Sequence, residues 1–226
     1  MVSTTLNEAA LPARAPDSSR GMGVLAIATG IAAFALLAFH PGGEARDFAG
    51  VLKDEAANRG MDALVHGGFV VVLALQTVCY AMFSARLGWQ RTATVAGLVF
   101  FCAGAIFLAG SMVLDGLVTP AVAARYLAAP AKIEYARSLF VLIGALIGVL
   151  MPAGIAFQAA GFAAWGAALA ANGRRVAGAF GVLLGAAMIA GVAAGAATAN
   201  PIVLMGGIVG TAVWAIVFGA TMLRRR

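Results

Sequence analysis

Six long stretches of the chain are almost free of charge, at about residues 21–39, 63–83, 92–118, 138–171, 176–196 and 202–223, and polar segments separate them. A helix needs roughly 20 apolar residues to cross a hydrocarbon core about 30 Å thick, and each stretch meets or approaches that length. The pattern predicts an all-α integral membrane protein with six transmembrane helices in one domain, residues 21–223. Residues 1–20 have too few bulky apolar side chains to offset the entropy of ordering, so a disordered tail is expected there. The first run, Gly21 to Phe39, exceeds a signal-peptide core, and no small-x-small cleavage pattern follows, so it is expected to be retained.

Prolines punctuate the runs. Pro120 is expected to end the third. The fourth, uncharged from Ser138 to Ala171, would be about 50 Å long as a helix. Pro152 near its middle predicts a kink, a strong tilt or a protruding end. The short link Thr198-Ala199-Asn200-Pro201 makes the fifth and sixth runs an antiparallel hairpin.

Two linkers are longer and carry helical patterns of their own. Phe48, Val51, Leu52 and Ala56 recur at helical spacing within 44–59, predicting a short amphipathic surface helix. Residues 121–137 read as a second helical piece, broken at Pro130. Together the two would roof one mouth of the bundle.

Composition agrees with the pattern, at 62% hydrophobic and 11% charged residues. The net charge of +6 would suggest nucleic acid in a soluble protein, but the basic residues lie between the apolar runs and read as topology signals, so no nucleic-acid partner is expected. With both termini inside, the inner segments hold Arg14, Arg20, Arg86, Arg91, Arg174, Arg175 and the terminal 224–226 arginines. The outer segments hold Arg46, Lys53, Arg59, Arg125, Lys132 and Arg137, diluted over longer loops. The bias favours N-in/C-in, and the Ala-, Gly- and Arg-rich composition points to a bacterial inner membrane. Trp89 and Trp165 fall near the inner boundary as expected anchors, whereas Trp214 lies deeper. Cys79 and Cys102 sit inside apolar runs and read as buried free thiols.

Apart from the lipid bilayer, the expected partners are a small molecule and a second copy of the chain. Gly144/Gly148, Gly181/Gly185, Gly191/Gly195 and Gly206/Gly210 each share a helix face, suited to internal packing or to homo-oligomer contact. An inverted three-plus-three repeat is geometrically allowed, but the halves show no residue-level echo.

The chemistry concentrates at the predicted outer mouth. His40, at the end of the first run, and His66, early in the second, are the only histidines, and Asp115 is the only acid inside an apolar run. Intramembrane acids are costly unless they reach the headgroups or pair. His40, His66 and Asp115, with Met112 one turn away, are candidate metal ligands, since imidazole suits zinc, copper or iron and a carboxylate can ligate or orient a histidine. A bis-histidine haem is the related expectation, if the two rings face each other across the macrocycle. A second reading makes the mouth a small-molecule or lipid pocket, with Tyr126 and Asn200 joining His40, His66 and Asp115, and Asp62 and Glu134 on the rim. The bland alternative leaves each histidine bonded to headgroups, water or backbone at a helix end. No nucleophile elbow, His-Glu-x-x-His helix or phosphate loop is present, so a noncatalytic role is expected over a metal- or haem-dependent oxidoreductase. Gln76 and Gln158, polar residues within crossings, suit interhelical hydrogen bonds or the lining of a path.

Overall fold

The structure, a computed structural model, describes residues 18–42, 47–198 and 201–223. Among them every regular element is helical: α1 (Ser18–Ala38), α2 (Phe48–Leu87), α3 (Thr92–Val113), a π-helical turn (Leu114–Val118), α4 (Thr119–Leu127), a 3-10 turn (Pro130–Lys132), α5 (Ile133–Ala171), α6 (Arg175–Thr198) and α7 (Pro201–Leu223). Six helical stretches are long and apolar enough to cross a membrane, consistent with a multi-pass membrane protein. Most of the tail, the terminal arginines and Asn200 lie outside the described residues.

Three expected boundaries move, each because a helix continues where its backbone stays paired. Asp47 caps α2, its carboxylate accepting from the Gly50 N–H at 2.7 Å. The helix then runs 40 residues, to Gly88 at φ +97°. The surface helix expected within 44–59 is therefore the first part of α2, because a stop at Arg59 would strand carbonyls that the residues after it can pair. Pro120 does not end the third run. The π turn immediately before it is wider than an α turn, which gives the pyrrolidine ring room, and Leu114 O accepts both the Thr119 N–H and the Thr119 hydroxyl, the latter at 2.9 Å. α5 begins at Ile133 instead of Ser138 and carries Pro152 inside it, about 58 Å of continuous helix.

Small residues set the packing, at a different spacing from the expected one. The most extensive interfaces are α3 on α5, α5 on α6, and α1 on α7. In each, small residues seven apart on one helix meet small residues seven apart on its antiparallel neighbour. Gly97 and Gly104 face Gly161 and Gly154; Gly178 and Gly185 face Gly166 and Ala159; Gly23 and Gly30 face Gly219 and Ala212. A seven-residue period keeps a contact seam aligned along helices that coil left-handedly around each other. Of the pairs four apart, Gly181/Gly185 packs internally, whereas a β-carbon added at Gly144 or Gly148 would meet no described atom within 4 Å.

At Gly104 a β-carbon would lie 2.6 Å from the backbone oxygen of Gly154, which cannot swing away. Gly104→Val is expected to destabilise the fold by about 1–3 kcal/mol, and Gly144→Val by less than about 0.5 kcal/mol. Reversible unfolding in mixed micelles measures both; equal stability would reject this packing.

Large aromatic residues fill the half of the bundle far from the histidines. Trp165, expected at the boundary, is fully buried against Tyr80, Phe83 and Phe101, and its indole N–H donates to Ser84 Oγ at 3.0 Å. Gly97 opens the socket, since a β-carbon there would strike the indole. Cys79 is a buried free thiol as expected, whereas Cys102 is a free thiol that is partly exposed. At the histidine end, Leu52, Ala123, Tyr126 and Ala136 join the start of α2, α4 and the start of α5 into a separate apolar cluster.

Candidate functional site

His40 leaves the end of α1, where Pro41 follows and cannot extend the helix. His66 stands on α2, and Asp115 belongs to the π turn. These three elements bring one ligand atom from each residue within 4.8 Å of the others.

His66 is 3% exposed and is held from both sides. Its Nδ1 lies 2.9 Å from the Asp62 carbonyl, one helical turn back, and its Nε2 lies 3.1 Å from Asp115 Oδ2. A carbonyl only accepts, so Nδ1 carries a proton. Nε2 then confronts a carboxylate oxygen, and two lone pairs do not attract: a proton or a metal cation has to lie between them. His40 repeats the first half of this arrangement, with Nδ1 donating to the Pro41 carbonyl at 3.0 Å, which leaves the lone pair on Nε2. The two rings meet edge to face, centroids 5.0 Å apart at 70°. That contact leaves no gap for a macrocycle between them, which argues against the bis-histidine haem.

Gly116 makes the approach possible. A β-carbon at this position would overlap the Cβ, Cγ and Nδ1 of His66, so only a glycine lets the π turn lie against the imidazole. The extra residue of the turn presents Asp115 to His66. Asp-Gly inside an apolar run, with Thr-Pro beginning three residues after the glycine, is the available signal, and a run-length reading passes over it.

Other acids surround the cluster. Asp62, buried, and Glu55, half-buried two turns earlier on α2, both lie within electrostatic reach of His66 and Asp115. Beside it opens a cleft of about 390 Å³ lined by Arg59, Gly60, Ala63, Gly116 and Leu117. Gly116 is shared by the cleft and the cluster.

The remaining candidates sit elsewhere. Met112 is buried in an apolar cluster with Ala33, Val65, Phe69 and Val72, away from solvent. Tyr126 packs against Tyr135 and lies in the apolar cluster with Leu52, Ala123 and Ala136. Glu134 pairs with Arg137 at 3.4 Å on an exposed face. Asn200 lies outside the described residues. No protein-family model, curated protein or solved structure matches the chain.

Proposed function

We propose that the chain is a multi-pass protein of a bacterial inner membrane, N-in/C-in, that holds a divalent transition-metal ion at its outward mouth through His40, His66 and Asp115. The observation that carries this reading is the convergence of three ligating groups from three elements, with both histidines oriented through their second nitrogen. A carbonyl that fixes the tautomer and ring plane is the usual support of a metal-binding histidine. Mixed imidazole and carboxylate donors favour zinc, copper, iron or nickel over calcium and magnesium, which prefer all-oxygen shells. Bonds of about 2.0–2.1 Å in a tetrahedral zinc site place ligand atoms about 3.3 Å apart. The 3.1 Å separation of His66 Nε2 and Asp115 Oδ2 fits that spacing, and a ring nitrogen of His40 lies within 4.8 Å of both ligand atoms.

Three protein ligands leave a coordination position open to water or to a donor atom of a guest. The adjacent cleft, with the Arg59 cation on its wall, suits a small anionic molecule bound beside the ion. This makes binding of a small molecule the role, with the metal as part of its receptor. A redox role would need an ion that changes valence.

Titration of the metal-free purified protein with Co²⁺ tests the proposal. One equivalent should give visible ligand-field bands that Zn²⁺ abolishes, and a featureless titration would reject the site. For the orientation, a cysteine introduced at Asp54 should react with an impermeant maleimide from outside intact cells; protection from outside together with reaction in inverted vesicles would reverse the topology.

A further inference from the structure

Deep in the bundle, Gln76 on α2 and Gln158 on α5 are 1% and 0% exposed. The Thr211 hydroxyl on α7 lies 2.9 Å from Gln158 Oε1 and 3.1 Å from the Gly207 carbonyl, and its one proton, given to the nearer oxygen, satisfies Gln158 Oε1. Gln158 Nε2 and both polar atoms of the Gln76 amide have no hydrogen-bond partner among the described residues. All three side chains line one small cavity of about 30 Å³, otherwise walled by apolar residues including Phe69, Leu73 and Met112. Gln76 lies ten residues beyond His66 on α2, roughly 15 Å along the axis. Phe69 and Met112 line the cavity and belong to the buried apolar cluster with Val65 and Val72, and none of His40, His66 and Asp115 lines it.

An unpaired amide is costly in a protein interior and costlier where no water surrounds the helices. Two orphaned amides on side chains that line one cavity therefore narrow its guest by their own chemistry. The site offers N–H donors from both glutamines and a carbonyl acceptor from Gln76, with no charge. A cation would leave the donors unmet, an anion would meet the carbonyl, and an apolar guest would satisfy nothing. A neutral molecule that both donates and accepts fits, and the volume admits one the size of water.

We propose that this cavity is an internal hydration site, in which bound water accepts from Gln158 Nε2 and donates to Gln76 Oε1, joining α2 to α5 and, through Thr211, to α7. The bundle then has a polar step in its interior that is separate from the histidine cluster and independent of any metal there.

The chain has three glutamines, Gln76, Gln90 and Gln158, and Gln90 is exposed. Full-length protein labelled with ¹⁵N at glutamine side chains, in bilayers of deuterated lipid, gives three amide signals in a water-edited solid-state spectrum. Gln90→Ala identifies the exposed one. The expected result is transfer from water to all three amides, with the Gln158 signal weakened several-fold in Gln76→Leu, which removes one end of the bridge. Transfer to Gln90 alone would overturn the proposal, as would a direct contact between the Gln76 and Gln158 amides. Because the native protein and Gln90→Ala already distinguish these outcomes, the test survives a failure of Gln76→Leu to fold.

Discussion

Asp115→Asn is expected to weaken Co²⁺ binding by at least ~100-fold while leaving the protein folded. Loss of a mere supporting group around a metal costs about 10–100-fold, so loss of a ligand sits at or beyond the top of that range. The amide keeps the fold because it can donate to His66 Nε2, satisfying the nitrogen that faces the carboxylate at 3.1 Å in the native protein. It carries no charge and binds a dication poorly. His66→Ala should lose the metal as completely, but with a stability cost as well, since the imidazole is buried. Met112→Leu and Tyr126→Phe serve as controls because both side chains pack in apolar clusters. Affinity should also fall as pH is lowered, since protons compete with the ion for imidazole nitrogen and carboxylate oxygen. Native-like Co²⁺ spectra in Asp115→Asn and His66→Ala would remove these residues from the metal shell, and the histidine–aspartate contact would then be a structural ion pair or a shared-proton hydrogen bond.

Gly116→Ala is expected to combine a loss of stability of about 1–3 kcal/mol with a fall in metal affinity of ~10–100-fold, although the substitution adds one methyl group and touches no ligand atom of Asp115. The added carbon would occupy space held by the His66 ring, and that ring cannot retreat freely because its Nδ1 is bonded to the Asp62 carbonyl. Relief requires either rotation of the ring away from Asp115 or movement of the π turn away from α2. Both separate Nε2 from Oδ2. Gly60→Ala and Gly67→Ala are matched controls on α2, where a β-carbon would meet nothing within 4 Å, and helix propensity makes each neutral or slightly stabilising. Unfolding measurements and the cobalt titration, run on the three variants together, check the prediction. If Gly116→Ala behaves like its controls, the π turn does not hold Asp115 in the way described.

The two halves of the candidate site differ in how far the sequence exposes them. His40, His66 and Asp115 stand out by residue type, because ionisable groups beside apolar runs are few. Met112 stands out only by its nearness to Asp115 along the chain, and the tertiary structure turns it into the core. The π turn escapes a run-length reading: hydrophobicity along residues 92–118 is broken only by the Asp115-Gly116 pair, which does not by itself say that one extra residue is taken into a turn. Gly116, whose lack of a side chain permits the contact, reads on its own as one more glycine among 29.

The glycines that build the bundle show the same division. A spacing of four is easily seen and occurs repeatedly, yet Gly144 and Gly148 face open space among the described residues, while Gly97 and Gly104 find Gly161 and Gly154 on a helix fifty or more residues away in sequence. A seven-residue seam has meaning only once its neighbour is known. Trp165 likewise reads as a boundary residue by depth and becomes a core residue because Gly97 leaves room for it.

By itself the sequence determined that the chain forms helices long and apolar enough to cross a membrane, and about where they lie, because length and hydrophobicity are properties of contiguous residues. It also marked the few ionisable side chains that such helices carry. Tertiary structure alone decided which helices touch, that α2 and the third run continue past their expected ends, that His66 meets Asp115 across 49 residues of chain, and that Gln76 and Gln158 share a cavity. The reason is physical: hydrogen-bond geometry and steric fit depend on distances between segments, and those are set by the packing of the whole bundle, not by any single run.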